Sequence, residues 1–262
     1  MTSAPMLSQT DLKNGLEKEE FHLLFQPRMD CLTRQTVGAE SLVRWRHPKH
    51  GVISPSHFIG LAEAGPFIHD LGAFVLNQTC AALHHWRHTI PGLELSVNVS
   101  PHQLTLDFPR QVAEALARNN LPPQLLELEV TEGVLLSKEN VWILDRIMET
   151  GVNLAIDDFG TGHSSLSYLR QFNARTLKID GSFMADLPGS LTGCMLLGSI
   201  IKLGHGLGMS VVCEGIETSE QMEFAELAEA DQIQGYAFAK PLTLLELSAF
   251  VTQQKVPLQL AM

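Results

Sequence analysis

Two adjacent carboxylates, Asp157 and Asp158, end a short apolar segment in the stretch NLAIDDFGTG (residues 153–162). Side chains alternate between the two faces of a strand, so neighbouring aspartates at a strand end cannot share one face. Polar residues interrupt other apolar segments, mostly near their C-terminal ends. They are Glu40, Asn98, Glu129, Lys178, Asp180, Glu214 and Gln234. Burying several carboxylates together raises their pKa values and is costly unless cations neutralise them.

The residue types favour a hard divalent cation. Carboxylate and amide oxygens without Cys or His suit Mg²⁺ or Mn²⁺ better than Zn²⁺. The expected ligands of a first ion are Glu40, Asn98, Glu129 and Asp157. Asp158 is expected to reach a second ion, with Asp157 bridging the two. Two ions about 3.5–4 Å apart activate water and clamp the attacking and leaving oxygens of a phosphodiester.

Two other interpretations of these polar residues have to be weighed. Each residue by itself is explained equally well by a private capping bond or salt bridge, but nine such positions on seven segments weaken that account. Glycosidases also place paired carboxylates at barrel strand ends. Sugar binding would lead one to expect stacking aromatics, and the chain has only three Trp and two Tyr.

The elements that would position these residues alternate along the chain. Eight short apolar, β-branched segments alternate for the most part with helical patterns, which favours a parallel sheet closed into a TIM-type (β/α)8 barrel. The segments are FHLLFQP (21–27), TVGAESLVRW (36–45), LELSVNVS (93–100), LLELEVTE (125–132), NLAIDDFG (153–160), TLKID (176–180), SVVCEGI (210–216) and QIQGYAF (232–238). The chemistry of such barrels lies at the C-terminal ends of the strands, where the polar residues cluster.

Composition limits the partners and the location. The formal net charge of −11 argues against a nucleic-acid polymer, although a small anionic ligand is compatible if metal ions supply positive charge. No apolar run approaches the ~18 residues of a membrane span. The four dispersed cysteines indicate reduced thiols in a cytoplasmic protein. We expect a polar N-terminal lead-in over residues 1–11 and one domain over residues 12–262.

Seven motifs in order resemble the signatures of EAL domains, cyclic di-GMP phosphodiesterases named for a Glu-Ala-Leu triplet. They are GAESLVRW (38–45), NVS (98–100), LEVTEG (128–133), DDFGTGHSSL (157–166), KID (178–180), CEGIET (213–218) and QGYAFAKPL (234–242). The resemblance covers about residues 12 to 251. It implies a TIM-type barrel whose first strand runs antiparallel to the others, which the segment pattern did not provide.

The resemblance also implies roles for individual residues. Glu40, Asn98, Glu129 and Asp157 match the family's metal ligands, and Asp158 matches the ligand of the other ion. Lys178 matches the lysine that holds the attacking water or a phosphate oxygen, and Glu214 matches a general base or a metal-associated carboxylate. Glu132 matches a residue that anchors the loop Gly160 to Ser165. Residues at positions that contact or orient the dinucleotide are Gln26, Leu42, Arg44, Asp180, Glu217 and Gln234.

The implied activity is hydrolysis of cyclic di-GMP to linear 5′-pGpG with two Mg²⁺ or Mn²⁺ ions, which lowers this second messenger in bacterial signalling. The alternative is a receptor that binds cyclic di-GMP without cutting it, or a partner-binding domain of the same fold. A homodimer is expected. Three positions depart from the family pattern: Ser41 replaces the Ala of the triplet, His163 stands where Tyr is common, and Gly181 stands where Arg is common. We expect the Ser41 hydroxyl to be tolerated if it finds a partner.

Overall fold

The computed structural model describes residues 7–162, 169–170 and 172–254. The second half of the predicted loop Gly160 to Ser165, including His163, lies outside the described residues. Within the described ranges, all eight segments predicted from the sequence form strands.

Eight strands close into a barrel in the order β1-β9-β8-β7-β6-β5-β4-β2, and pairing of β2 with β1 completes the circle. A ninth, β3, pairs with β2 outside the circle. The strands are β1 (Phe21–Asp30), β2 (Thr36–His47), β3 (Gly51–Ile53), β4 (Glu94–Asn98), β5 (Leu126–Thr131), β6 (Asn153–Phe159), β7 (Thr176–Ile179), β8 (Ser210–Cys213) and β9 (Gln232–Gln234). The predicted barrel is thereby confirmed.

The first strand runs against its neighbours, as the family resemblance implied. β1 is antiparallel to both β2 and β9, whereas every other barrel pairing among the described strands is parallel. A parallel connection needs a crossover of a dozen or more residues, usually a helix. Only residues 31–35 separate β1 from β2, so these strands pair as a hairpin.

Helices surround the barrel. They are α1 (Gln9–Glu17), α2 (Ile59–Glu63), α3 (Phe67–Trp86), α4 (Phe108–Arg118), α5 (Lys138–Met148), α6 (Leu191–Gly206), α7 (Ser219–Leu227) and α8 (Leu244–Gln254). α1 begins within the predicted lead-in, where Ser8 and Asp11 form a capping box, and it buries Leu12. The domain boundary at residue 12 stays a prediction. Among the described helices, none is long and apolar enough to cross a membrane.

The main apolar core is shared by the barrel strands and the helices around them. A second, smaller apolar cluster lies beside the barrel and holds α1 in place. Trp45 is fully buried there, stacks on Phe21 at 5.1 Å between ring centroids, and donates a hydrogen bond from Nε1 to Glu20 Oε2 at 2.9 Å. Gly15 of α1 leaves room for the indole, because a Cβ at this position would lie 2.8 Å from Trp45 Nε1. The cluster therefore attaches the N-terminal helix to the β2 strand that also carries Glu40.

The Ser41 hydroxyl does not find the partner that the sequence analysis required. The residue is 3% exposed, and its Oγ has no hydrogen-bond partner within the described part of the chain. An unsatisfied buried hydroxyl costs about 1–3 kcal/mol.

Restoring the usual alanine should stabilise the protein. We expect Ser41→Ala to raise the free energy of unfolding by about 1 kcal/mol, because it removes a buried polar atom without leaving a large cavity. Urea denaturation of both proteins measures the difference, with Ser56→Ala, which changes an exposed serine, as the control. A loss of stability in Ser41→Ala would show that the hydroxyl is satisfied in solution.

Candidate metal centre

The predicted polar residues converge inside the barrel at the C-terminal ends of its strands. Glu40 lies on β2, Asn98 ends β4 opposite Glu129 of β5, and Lys178 lies on β7. The others are Asp157 and Asp158 on β6, Glu214 directly after β8 and Gln234 at the end of β9. Eight of the nine polar positions therefore belong to one shared network instead of making the private contacts considered as an alternative.

Lys178 is at the centre of this network. Its side chain is 1% exposed, and its Nζ lies 2.7 Å from Glu129 Oε2, 2.7 Å from Glu214 Oε1 and 3.1 Å from Asp157 Oδ1. Glu40 Oε2 is slightly farther, at 3.6 Å. Burial opposes the charged ammonium, but the carboxylates, Glu129 first, outweigh burial and raise the pKa of Lys178 well above its ordinary value.

Two amide side chains hold Glu40 in place. Asn98 Nδ2 donates to Glu40 Oε1 at 2.5 Å, and Gln234 Nε2 donates to Glu40 Oε2 at 2.6 Å. Burial raises the pKa of Glu40, but the Lys178 charge and these two hydrogen bonds outweigh it, so the pKa lies below the ordinary value. Glu40 is therefore held as a carboxylate, and the Asn98 amide oxygen is left available as a ligand.

The backbone of β6 allows both aspartates to reach the same site. The register between β6 and β7 shifts between Ile156 and Phe159, and Asp158 has a left-handed backbone with φ of 53°. This irregularity breaks the strict alternation of side chains. One carboxylate oxygen from each of Asp157, Asp158 and Glu214 lies within 4.8 Å of the others. A left-handed non-glycine residue is strained, and such strain concentrates at functional sites.

Several of these carboxylates resist ionisation when no cation is bound. Burial raises the pKa of Glu214 to about 7 and that of Glu129 well above its ordinary value, despite the opposing charge of Lys178. Burial and the neighbouring Asp157 charge also raise the pKa of Asp158. In the ionised cluster, five carboxylates and one ammonium leave four negative charges.

The donor set fits hard divalent cations. It offers carboxylate and amide oxygens with no thiolate or imidazole, which suits Mg²⁺ or Mn²⁺. Glu129 Oε1 is buried without a hydrogen-bond partner among the described residues, as expected of an oxygen reserved for a cation. Two divalent ions would balance the four negative charges.

Most of the predicted substrate residues line two pockets on either side of Glu40 and Asn98. Gln26, Glu217 and Gln234 line one pocket together with Glu40 and Glu214. Leu42 and Arg44 line the other with Asn98. The hydrogen bond between Asn98 and Glu40 joins the two pockets.

Asp180 differs from the other predicted substrate residues. Its Oδ1 accepts a hydrogen bond from the Ser182 backbone at 3.0 Å and caps the turn after β7. Next to it, Gly181 lies against the backbone of Gly215, since a Cβ on Gly181 would be 3.1 Å from Gly215 Cα. A small residue at 181 thus suits the close approach of the loops that follow β7 and β8.

Glu132 and Tyr236 complete the surroundings of the centre. Glu132 starts the turn after β5, and its carboxylate fills the space that a Cβ on Gly162 would need. Its loop-anchoring role stays a prediction. Tyr236, which the sequence analysis did not single out, lines the Glu214 pocket and is 57% exposed. An aromatic residue two positions after the end of β9 was the available signal.

Comparison with known proteins gives a consistent family match. The family model described as the EAL domain matches residues 9–241. The cyclic di-GMP phosphodiesterase NbdA of Pseudomonas aeruginosa is 37% identical over 249 residues, which cover 93% of this chain and 32% of NbdA. The chain spans about a third of the length of the curated relatives it matches.

Solved structures show the same fold. The PaMucR phosphodiesterase in complex with c-di-GMP superposes with a TM-score of 0.87 at 34% identity, covering 91% of this chain and 98% of that one. The EAL enzyme Bd1971 with cAMP and cyclic di-GMP bound gives a TM-score of 0.89 at 29% identity, covering 92% of this chain and 67% of that one.

The raised pKa values predict how the metal-free protein responds to pH. Glu129, Asp158 and Glu214 bind protons more tightly in the folded than in the unfolded state, so their protonation stabilises the fold below the unfolded pKa of each group. This contribution to stability is lost as pH rises through the pKa that each group has in the folded protein. For Glu214 this pKa is about 7. We therefore expect the metal-free Tm to fall by several degrees between about pH 5.5 and about pH 8.

Differential scanning calorimetry with and without Mn²⁺ measures this effect. Mn²⁺ should raise the Tm more at the higher pH, because it no longer competes with protons for the carboxylates. Glu214→Gln is the matched variant and should show a smaller pH dependence. A metal-free Tm that rises over the same interval would contradict the proposed charge balance.

Proposed function

The chain belongs to the EAL domain family, and from that premise we propose that it hydrolyses cyclic di-GMP to linear 5′-pGpG with two Mg²⁺ or Mn²⁺ ions. The observation that carries the proposal is the complete set of predicted oxygen ligands gathered around Lys178. Relatives named as cyclic di-GMP phosphodiesterases support the substrate. The activity would lower this second messenger in bacterial signalling.

The ligand assignment follows the geometry of the cluster. Asp157, Asp158 and Glu214 offer oxygens close enough to share a cation. Glu40, Asn98 and Glu129 supply the remaining oxygens from neighbouring strands. When bound, two divalent ions lower the pKa of a water molecule and stabilise the charge that develops on the attacking and leaving oxygens.

Lys178 and Glu214 are the residues that handle the proton. Burial raises the pKa of Glu214 to about 7 in the metal-free protein, and neighbouring cations would lower it, which keeps Glu214 in the ionised form that a general base needs at neutral pH. Its carboxylate lies 2.7 Å from the Lys178 ammonium, which donates hydrogen bonds and orients it. Lys178 also presents positive charge to an incoming phosphate oxygen. Asn98 and Gln234 orient Glu40, so the ligands do not have to reorganise during the reaction.

The flanking pockets suit an extended dinucleotide. A phosphodiester over the centre would direct one nucleoside toward Gln26 and Glu217, and the other toward Leu42 and Arg44. The protein carries a net charge of −11, so the positive charge for an anionic substrate comes from the bound cations and the local cations Lys178 and Arg44. The homodimer and the cytoplasmic location stay predictions.

Substitution of the site residues tests the proposal. We expect Glu40→Ala and Glu214→Ala each to reduce turnover by about a hundredfold or more, because the first removes a ligand held by two amides and the second removes the base. Purified protein is incubated with cyclic di-GMP and Mg²⁺ or Mn²⁺, and the nucleotides are separated by chromatography. Circular dichroism checks that the variants fold.

The control and the contrary outcomes are defined by the same assay. Glu149→Ala, which removes an exposed ion pair with Arg146, should leave turnover unchanged. Near wild-type hydrolysis by Glu40→Ala would contradict the assigned ligand set. Binding of cyclic di-GMP by the wild-type protein without appearance of 5′-pGpG would establish the alternative, a receptor or partner-binding domain of the same fold.

A further inference from the structure

A second buried ion pair lies in the barrel interior, beneath the candidate metal centre. Arg28 of β1 is 2% exposed, and its Nη1 donates to Glu127 Oε2 of β5 at 2.6 Å. The other Glu127 oxygen accepts a hydrogen bond from Thr176 Oγ1 at 2.6 Å. Both carboxylate oxygens of Glu127 are therefore occupied.

Stability alone does not account for this pair. Taking two charges out of water costs more than their attraction returns unless every polar atom is satisfied, and apolar replacements are often equally stable. Arg28 Nε has no hydrogen-bond partner in the described portion of the chain. Gly38 makes room for the guanidinium, since a Cβ there would lie 2.9 Å from Arg28 Nη2. A buried ion pair of this kind is therefore weak evidence for a purely stabilising role.

Strand alternation places the pair one layer below the site. Residues two apart on a strand share a face, at a separation of about 6.6 Å. Glu127 therefore lies under Glu129 on β5, and Thr176 lies under Lys178 on β7. The same relation holds on the β1–β2 hairpin, where Arg28 is opposite Gly38. Two residues closer to the site, on the same face, Gln26 is opposite Glu40.

We propose that Arg28 is a positioning residue for Lys178, acting by neutralising Glu127. Without Arg28, Glu127 would be a carboxylate without a cationic partner in the layer below Lys178. A flexible lysine would turn toward it and away from Glu129 and Glu214. Burial raises the pKa of Glu127, but the Arg28 charge, the Thr176 hydrogen bond and, more weakly, the Lys178 charge outweigh it, so the pKa lies below its ordinary value. This agrees with the placement of Lys178 one layer above Glu127.

Removal of Arg28 should change Mn²⁺ affinity and turnover in opposite directions. Lys178 Nζ lies 2.7 Å from oxygens of Glu129 and Glu214, where it competes with a cation for the same carboxylates. Drawing Lys178 downward leaves these oxygens more negative, so Mn²⁺ should bind more tightly. Loss of Lys178 from the site should at the same time lower kcat, with little change in KM. A general loss of structure would weaken both.

The test measures Mn²⁺ binding alone by isothermal titration calorimetry, and hydrolysis of cyclic di-GMP separately. Arg28→Met should bind Mn²⁺ about threefold more tightly and should lose kcat by on the order of ten- to a hundredfold. In the double variant Arg28→Met/Glu127→Gln, the charge under Lys178 is gone and the new amide oxygen still accepts from Thr176. It should return both values to within about threefold of wild type. Arg110→Met, which changes a surface arginine, is the matched control.

The outcomes separate this proposal from the proposed function on which its kinetic part rests. Unchanged or weaker Mn²⁺ binding in Arg28→Met, or a double variant as impaired as the single one, would overturn the positioning role. If Arg28→Met does not fold, Arg28→Gln, whose amide can still donate to Glu127 but carries no charge, takes its place, and the same changes in Mn²⁺ affinity and kcat are expected. A wild-type protein without hydrolysis would refute the proposed function, while the Mn²⁺ measurements would still decide on Arg28.

Discussion

The structure depends on one electrostatic constraint, the placement of five carboxylates around a single buried ammonium inside a closed barrel. A low-dielectric interior tolerates such a cluster only when opposite charge lies within contact distance. Lys178 supplies one positive charge and contacts four of the carboxylates. The remaining imbalance explains why burial raises the pKa of Glu129 and Glu214 although that of Glu40 is lowered. The same imbalance defines a site that favours divalent cations.

Positioning these charges requires departures from regular strand geometry. Glu40, Glu129 and Lys178 need none, because they occupy inward positions of regular strands. Asp158 joins them only through the register shift and the left-handed backbone at the end of β6. Phe183 packs against the turn that follows, since its ring occupies the space that a Cβ on Gly160 would need. The irregular backbone therefore lies at the candidate metal centre.

Much of the fold and of the centre was predictable from sequence. The eight apolar segments correspond to the barrel strands and the polar residues near their ends to the candidate ligands, because short apolar, β-branched segments and the polar residues that interrupt them are local features of the sequence. The antiparallel β1 came from family resemblance, although the short separation of the first two segments was a sufficient physical signal. The means by which Asp157 and Asp158 share a site could not be predicted, since a bulge depends on the neighbouring strand. The sequence also could not show whether the Ser41 hydroxyl has a hydrogen-bond partner, because such partners come from residues that are distant in sequence.

The polar side chains inside the barrel form two layers with different charge balance, and the pair of Arg28 and Glu127 belongs to the lower one. In sequence, Glu127 and Glu129 look equivalent, as alternate glutamates of LELEVT. In the barrel, the lower glutamate is neutralised by an arginine from β1, whereas the upper one faces a lysine shared with three other carboxylates. The lower layer is thus electrically balanced by Arg28, whereas the upper layer carries excess negative charge unless its carboxylates bind protons or cations. This separation confines the unbalanced negative charge to the C-terminal end of the barrel strands.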